Sequence, residues 1–429
     1  MPRKLVLIVV DGMTPETFER AVESDRAPAL AALARHGEYS RATSVFPSLT
    51  PVCLSSIATG AMPDVHHIPH LVWWHRQERR IVEYGSSFAA LRAAGMAQSI
   101  TDTIYTMNQK HLSADVATVY ESLDDAGLVA AAVNITCYRG RTKHLPTLPW
   151  VTKAAYGPPR FFYYSLFESD ATGAPLAVRN RSAGSVDAYA AAVGRWLVTR
   201  DGFDFLAYYL SDFDYASHAH GPEGAEEVAL ARVDACIRAL FDAAGGLDEF
   251  LERYAVVLLS DHGQTQVTRV AQLEQPLARF ADSIVVTASN RAGQVYLLPD
   301  ANVDAAELAR ALDGVESVDV TLRLEDGRVV ARRDGADGDV EELEHPDAPY
   351  RAAAALANPN AGELLVSGAP GWEFADLGGR HHAGGGSHGS LVAGDSIVPV
   401  LRVGVEAEVA RITDVTPAVL SHLGALARR

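Results

Sequence analysis

The sequence contains little cysteine. Its 429 residues include three, Cys53, Cys137 and Cys236, and none of them has a partner at paired spacing. Secreted disulfide-rich domains depend on such pairs, so the sequence excludes a disulfide framework. We expect buried free thiols in a reducing compartment.

Long hydrophobic runs are also absent. The first apolar run, Leu5–Val10, is six residues long and is followed by Asp11. A signal peptide needs a longer apolar core, and a membrane helix needs about 18 or more apolar residues in succession. No other segment reaches that length. We therefore expect a cytoplasmic protein that does not associate with membranes.

Positive charge is scarce as well. Lys and Arg number 37 against 54 Asp and Glu, which gives a net charge of −17. An acidic surface repels polyanions, which argues against nucleic-acid polymers and anionic membranes as main partners. A small anionic substrate remains compatible with this charge if metal ions or local basic groups neutralise the pocket. Composition does not indicate an oligomeric state.

The chain does contain a regular alternation of Ala-rich helical stretches and Val/Leu/Ile strands, with 48% hydrophobic residues. This alternation predicts an α/β fold with a mostly parallel central sheet. Residues 280–370 differ, because their pattern is helix, strand, turn, strand. We expect a small α+β cap insertion there, within a core formed by residues 1–279 and 371–429.

Chemically active residues follow the predicted strands. Asp261 and His262 come directly after the buried strand Ala255–Leu259, and Asp11 follows Leu5–Val10. Open α/β sheets bind their ligands at the carboxyl ends of strands, and Asp and neutral His are both good ligands for zinc-like ions. The alternative for each is an ordinary turn or helix-cap residue.

A third strand, Phe203–Leu210, is followed by Asp214 and His218 in a segment that we expect to be a loop, with a helix from about residue 223. His388 lies in a glycine-rich stretch near the C-terminal end of the sequence. Glycines there allow the backbone to approach a site closely.

Thr50 precedes Pro51 and a helical stretch that ends at Thr59-Gly60. A hydroxyl at a helix N-terminus faces free N–H groups and the positive end of the helix dipole, which favour a bound phosphate. The alternative is that Thr50 is only a helix cap.

Some further polar residues are candidates for substrate binding. Arg139 and Arg141 follow another predicted strand and form either an anion clamp or a solvated loop. His70 lies in a segment rich in His and Trp, where contact with substrate is more plausible than metal binding.

Taken together, the predicted strand ends and their neighbouring loops supply three Asp, three His and one hydroxyl. Two divalent cations with three protein ligands each, and a shared nucleophile, require such a set. The mixture of Asp and His favours zinc, although manganese uses similar ligands.

The order and local sequence of these motifs resemble the alkaline phosphatase superfamily, and most closely its nucleotide pyrophosphatase/type I phosphodiesterase branch. The matching segments are IVVDGM, FPSLTPVCLSSIATG, DYASHAHGP, LSDHGQ and GGGSHGS. The resemblance implies an α/β/α sandwich with two bound metal ions. By this resemblance, one metal would be held by Asp214, His218 and His388, the other by Asp11, Asp261 and His262, with Thr50 bridging both as nucleophile.

The implied reaction is attack by Thr50 on phosphorus, which gives a phosphothreonine that water then hydrolyses. The family also has a phosphate-binding Asn about twenty residues beyond the Thr, and this chain has His70-Leu71 in that neighbourhood. Its replacement would be found among His70, Asn108, Asn134 and the Arg139/Arg141 loop. We therefore expect a phosphodiesterase or nucleotide pyrophosphatase. The alternatives are a phosphomonoesterase, a phosphonate hydrolase or an inactive metal-binding protein.

Overall fold

A computed structural model describes residues 3–147, 153–169 and 185–426. Its strands, in chain order, are β1 (Lys4–Val10), β2 (Glu38–Thr43), β3 (Val72–His75), β4 (Arg80–Glu83), β5 (Ala130–Val133), β6 (Thr142–His144), β7 (Ala155–Gly157), β8 (Arg160–Tyr163), β9 (Phe167–Ser169), β10 (Phe205–Leu210), β11 (Tyr254–Leu259), β12 (Thr265–Gln266), β13 (Arg269–Ala271), β14 (Ile284–Ser289), β15 (Ala292–Leu297), β16 (Val318–Glu325), β17 (Arg328–Arg333), β18 (Ala336–Asp339), β19 (Leu364–Gly368), β20 (Trp372–Phe374), β21 (Gly386–Ser387) and β22 (Ile397–Val403).

The α-helices are α1 (Pro15–Glu23), α2 (Pro28–Ala34), α3 (Thr50–Thr59), α4 (Pro63–His66), α5 (Phe88–Ala94), α6 (Met96–Thr101), α7 (Val119–Asp125), α8 (Val186–Arg200), α9 (Asp212–Val228), α10 (Leu230–Ala244), α11 (Leu247–Arg253), α12 (Ala305–Ala311), α13 (Ala348–Ala357), α14 (Ala393–Ser396) and α15 (Val415–His422). A π-helix, Asp102–His111, continues from α6, and short 3₁₀ turns occupy Ala278–Phe280, Val340–Glu342 and Ile412–Asp414.

The central sheet has eight strands in the order β2-β22-β11-β1-β10-β5-β8-β9. The strands β11, β1, β10, β5 and β8 are parallel, whereas β2, β22 and β9 pair antiparallel at the two edges. The prediction of an α/β fold with a mostly parallel central sheet is confirmed.

Helices cover both faces of this sheet because its central strands are apolar on both sides. Along β1, Leu5, Leu7 and Val9 face a core shared with α3, α7 and α15. Val6 and Ile8 face the opposite core, which includes side chains from α1, α2, α8 and α10. The result is the three-layer α/β/α sandwich that a buried parallel sheet requires.

A second sheet of six strands, all paired antiparallel, has the order β14-β15-β19-β16-β17-β18. It occupies residues 284–368, inside the segment expected to form the α+β insertion. The division of the chain into a core and a cap domain stays a prediction. Within the described ranges, no helix has the length and apolar character needed to cross a bilayer. The cytoplasmic location also stays a prediction.

Residues 15–35 form two helices, α1 and α2, because Pro28 starts α2 and the preceding Ala27 leaves the helical conformation, with ψ of 64°. One expectation about secondary structure was wrong. The segment expected to be a loop before residue 223 is helical from Asp212. Gly221 bends this helix with φ of 78°, and Pro222 is accommodated after the bend.

Candidate active site

The three central strands β11, β1 and β10 are adjacent and parallel, so their carboxyl ends lie at one edge of the sheet. Asp261 and His262 follow β11, and Asp11 follows β1. After β10 the chain enters α9, where Asp214 and His218 are four residues apart and therefore lie on one helix face. The topology brings together residues that are distant in sequence.

Thr50 is the first residue of α3 and lies directly beside this cluster. Its Oγ1 is 3.1 Å from Nε2 of His262. The same Nε2 is 3.1 Å from Oδ1 of Asp11 and 3.6 Å from Oδ2 of Asp261. Pro51 occupies the first turn of α3, so Thr50 lies at a helix N-terminus in the structure, as expected from the sequence.

His388 completes the cluster from the other side. It follows β21, which pairs with β12 just beyond His262. The rings of His388 and His262 are stacked with centroids 3.6 Å apart, and Nε2 of His388 is 3.8 Å from Oδ1 of Asp214. On the other carboxylate oxygen of Asp214, Nε2 of His218 is 3.3 Å away.

The three histidines share one arrangement. Nδ1 of His218 lies 2.8 Å from the Gly386 carbonyl oxygen, Nδ1 of His262 3.0 Å from that of Gly263, and Nδ1 of His388 2.8 Å from that of Ser48. Each Nδ1 is therefore placed to donate its proton to a carbonyl, which directs the Nε2 lone pair towards the carboxylates. This is the orientation of metal-ligating histidines whose other ring nitrogen is fixed by a carbonyl.

Two groups in this cluster have the geometry to hold a metal ion, with ligand atoms within 4.8 Å of one another. One group is Asp214, His218 and His388, and the other is Asp11, Asp214 and His262. The first is the set that the resemblance implied. In the second, Asp214 takes the place expected for Asp261, which is buried directly behind His262.

Three buried carboxylate oxygens support occupancy by cations. Oδ1 of Asp11 and both oxygens of Asp261 have no hydrogen-bond partner within the described residues. A buried carboxylate without a partner is costly unless a cation neutralises it. The residues therefore fit a group of divalent ions.

The electrostatics of the cluster without metal agree with this conclusion. Burial, and then the charges of Asp261 and Asp214, raise the pKa of Asp11 well above its usual value. Burial also raises the pKa of Asp261 to about 7. Burial opposes ionisation of Asp214, but the adjacent His218 lowers the pKa of that carboxyl strongly. Burial alone would lower the pKa of His218, and the Asp214 carboxylate instead raises it to about 9.

Gly12 allows these groups to approach. Its φ is +70°, and a Cβ at this position would be 3.0 Å from Oδ1 of Asp214 and 3.0 Å from Nε2 of Gln264. Gln264 in turn donates from Nε2 to Asp214 and accepts from Ser217 Oγ at 2.9 Å. Gln264 thus supports Asp214 from behind, a contact that sequence patterns did not indicate.

A cavity of about 750 Å³ opens above Thr50 and the candidate metal-binding groups. Its apolar lining includes Leu71, Tyr84 and Met107, the last from the π-helix. Its polar lining includes two residues that the sequence analysis did not single out, Asn290 and Arg380. The volume is in the range of small-molecule sites, about 300–1,000 Å³.

Asn290 comes from the turn between β14 and β15, where no functional residue was expected. Its Nδ2 is 2.9 Å from Nε2 of His388, and its φ of +56° is a conformation that Asn tolerates better than most residues. The only signal in the sequence was Asn290 itself, because Asn is favoured in turns and tolerates a positive φ.

The four substrate-binding candidates lie elsewhere, since none of them lines the cavity in the described part of the chain. His70 is buried and accepts from the Val72 amide at 3.1 Å. Asn134 is also buried; its Oδ1 accepts from the Tyr164 amide at 3.0 Å, so it supports a residue of the cavity wall.

The two arginines of that set have structural partners. Arg139 pairs with Glu121 at 3.1 Å and donates to the carbonyls of Leu112 and Ser113. Arg141 pairs with Asp125 at 2.6 Å on the surface. Both carboxylates belong to α7, so the basic loop is anchored to that helix.

Comparison with known proteins identifies the family of this chain. The family model for type I phosphodiesterase / nucleotide pyrophosphatase matches residues 5–391. This chain belongs to that family. No curated protein matches it significantly.

Solved structures similar to this phosphodiesterase-family chain include two different enzymes. Murine ectonucleotide pyrophosphatase/phosphodiesterase 5 has 14% sequence identity and a TM-score of 0.66, covering 98% of this chain and 95% of that one. Phosphonoacetate hydrolase from Sinorhizobium meliloti 1021, in complex with phosphonoformate, has 19% identity and a TM-score of 0.64, covering 99% and 96%. At these identities the likeness establishes the fold.

Proposed function

We propose that this chain is a metal-dependent hydrolase of phosphate diesters, with Thr50 as the nucleophile. One observation carries the proposal: the Thr50 hydroxyl lies 3.1 Å from Nε2 of His262, at the floor of the cavity and beside the buried carboxylates of Asp11 and Asp261. In the related fold of the murine phosphodiesterase 5, a threonine-to-alanine variant described as inactive was solved in complex with AMP. That description supports a threonine nucleophile here.

The residues proposed to hold the two ions are those named from the sequence: Asp214, His218 and His388 for one, and Asp11, Asp261 and His262 for the other, with Thr50 between them. Such ions supply positive charge that lowers the pKa of a coordinated hydroxyl and stabilises phosphoryl oxygens. We propose zinc, because mixed Asp and His ligands suit it, with manganese as the alternative.

In the first step, Oγ1 of Thr50 loses its proton and bonds to phosphorus while the bond from phosphorus to the leaving oxygen breaks. The leaving oxygen takes up a proton. In the second step a water attacks the phosphothreonine, the Oγ1–phosphorus bond breaks, and the Thr50 hydroxyl and a phosphate monoester are formed. The chain contributes positioning and charge neutralisation, on which phosphoryl transfer mainly depends.

The residues around Thr50 suit this role. The amides of Val52 and Cys53 donate to the Leu49 carbonyl at 2.9 and 3.0 Å, whereas the Thr50 amide has no hydrogen-bond partner within the described residues. This N–H is available to a phosphoryl oxygen at the positive end of α3. Asn290 lies on the cavity wall beside His388, and we propose it as the donor that replaces the Asn expected after the nucleophile.

Phosphonate hydrolysis is the second candidate function. It is favoured by Arg380 on the cavity wall and by the similar fold of the phosphonoacetate hydrolase. The substrate would in either case be a small molecule with a phosphoryl or phosphonyl group.

The experiment compares Thr50→Ala with the wild-type protein after both are loaded with zinc and their metal content is measured. We expect Thr50→Ala to lose about 10³-fold or more of its activity on bis(p-nitrophenyl) phosphate. It should keep most of its metal, because six Asp and His ligands remain. Thr59→Ala, at the other end of α3, is the matched control and should retain activity. Near-normal turnover by Thr50→Ala would refute the nucleophile assignment.

A further inference from the structure

Arg380 is the one Lys or Arg side chain among the described residues that line the cavity above Thr50. It is exposed, and within the described part of the chain no carboxylate lies at ion-pair distance from its guanidinium. Arg80 on β4, by contrast, pairs with Asp102 at 2.5 Å. The guanidinium of Arg380 is therefore a positive charge on the cavity wall that no carboxylate of the described residues neutralises.

The loop that carries Arg380 is well fixed. Oδ1 of Asp376 accepts from the amides of Gly378 and Arg380, both at 2.8 Å. Gly378 packs so closely on α5 that a Cβ there would lie 2.5 Å from Ala89. In the turn that follows β4, Ser86 donates from Oγ to Oδ2 of Asp376 at 3.5 Å.

The other end of the loop is tied to the metal-binding residues. The buried Glu373 carboxylate accepts from the backbone amide and from Nδ1 of His382, the latter at 3.1 Å. The His382 ring stacks on His218 with centroids 3.8 Å apart. The loop therefore holds Arg380 at a defined place on the wall that continues from the metal-binding residue His218.

We infer that Arg380 forms a second anion-binding subsite, which selects substrates with a second negatively charged group besides the phosphoryl group under attack. The inference rests on the proposed function for the position of that phosphoryl group at Thr50. A cavity of about 750 Å³ leaves room for more than one phosphoryl group. The planar guanidinium matches a phosphate or a carboxylate with two parallel hydrogen bonds.

A further phosphate, as in a nucleoside diphosphate, and a carboxylate, as in a carboxylated phosphonate, share this chemistry. Two ligand pairs distinguish them. ADP carries one phosphate more than AMP, and phosphonoacetate carries a carboxylate where ethylphosphonate has a methyl group. Affinities are measured by calorimetry on zinc-loaded Thr50→Ala, which prevents turnover, and on the same protein with Arg380→Gln added.

We expect the second anionic group to increase affinity about tenfold in at least one pair, since a hydrogen-bonded charge pair typically has an effect of this size. Arg380→Gln should remove that advantage, and Arg380→Lys should keep part of it because the charge remains while the paired geometry is lost. Arg200→Gln, a surface change on α8, is the control and should preserve the advantage. The pair that responds identifies the second group as phosphate or carboxylate.

Two results would overturn the subsite. One is equal affinity within both pairs in Thr50→Ala. The other is an advantage that survives Arg380→Gln in protein whose melting temperature is unchanged. Failure of the proposed function is separate, because it would appear as absence of phosphoester hydrolysis by the wild-type protein while these binding ratios are still measured.

Discussion

Asp261 gives a quantitative test of the charge buried at the site. Its side chain is inaccessible to solvent, and neither of its carboxylate oxygens has a hydrogen-bond partner within the described residues. Burial, followed by the negative charge of Asp214, raises the pKa of Asp261 from 3.8 to about 7. The perturbation is Asp261→Asn, which keeps the shape and cannot ionise, in protein freed of metal by a chelator.

The sign follows from proton binding. Between the two pKa values the folded state holds a proton on Asp261 that the unfolded state has released, so the stability of the metal-free protein decreases as pH rises through this window. Each pKa unit corresponds to about 1.36 kcal/mol. From about pH 5 to about pH 8, folded Asp261 loses its proton near pH 7, and its contribution falls by about 2.7 kcal/mol.

The assay is chemical denaturation in chelator at these two pH values. We expect the wild-type protein to lose about 2.7 kcal/mol more than Asp261→Asn as pH rises. Asp242→Asn, on the exposed side of α10, is the matched surface control and should follow the wild type. Equal pH dependence in the wild type and Asp261→Asn would refute the idea that this carboxyl is buried without compensation. In zinc-loaded protein at the higher pH, we expect the wild type to be more stable than Asp261→Asn. The cation stabilises the ionised carboxylate, and the Asn side chain binds the cation more weakly.

The other predictions concern the support of the site. Gly12→Ala should lower the free energy of unfolding by about 1–2 kcal/mol, because Ala is strained at φ of +70° and its Cβ would press on Asp214. Equilibrium dialysis should detect weaker zinc binding by this variant, and unaltered binding would contradict the close contact. Asp395→Ala leaves the fully buried Arg291 without the carboxylate that it contacts at 2.7 Å. Chemical denaturation should therefore show a free energy of unfolding that is lower by about 3–5 kcal/mol, and a decrease below about 1 kcal/mol would contradict that expectation. Zinc at about a hundredfold excess over its Kd should stabilise chelator-treated protein by about 2.7 kcal/mol, seen as a higher melting temperature, and His262→Ala should reduce this gain.

The sequence was sufficient for the fold and for the neighbourhood of the site because both depend on strand ends. Apolar runs such as Leu5–Val10 identify buried strands, and parallel strands bring their carboxyl ends to one edge. Asp11, Asp261 and His262 followed from this rule without knowledge of the helices. The assignment of individual residues to each metal stays a prediction.

The helical position of Asp214 was not predicted, because Gly221-Pro222 is typical of a helix start. The structure accommodates the pair inside α9 by giving Gly221 a φ of 78°. With this bend the helix can begin at Asp212, directly after β10. The helix-start signal at Gly221-Pro222 therefore led to the wrong prediction that the residues before it, from Asp212, form a loop.

The proposed substrate contacts could not be predicted from the sequence, because they depend on which charged side chains find partners in three dimensions. The sequence left Arg139 and Arg141 as either an anion clamp or a solvated loop, whereas α7 places Glu121 and Asp125 beside them. Arg380 has no such neighbour within the described residues. The spacing of residues in the sequence does not reveal which arginines are paired, since the partners Glu121 and Asp125 lie on α7, a different element from the loop that carries Arg139 and Arg141.

The order of the strands has a consequence for synthesis of the protein. The strand β22 lies between β2 and β11, so the edge strand β2 cannot join the sheet until β22 has left the ribosome. His388, a proposed ligand of one ion, is made only just before β22. A nascent chain that ends before residue 388 contains Asp11, Asp214 and His262, but it lacks the third ligand proposed for the other ion. If the ions bind as proposed, full metal occupancy requires a chain synthesised at least as far as His388, so metal binding would stabilise nearly finished chains in preference to shorter ones.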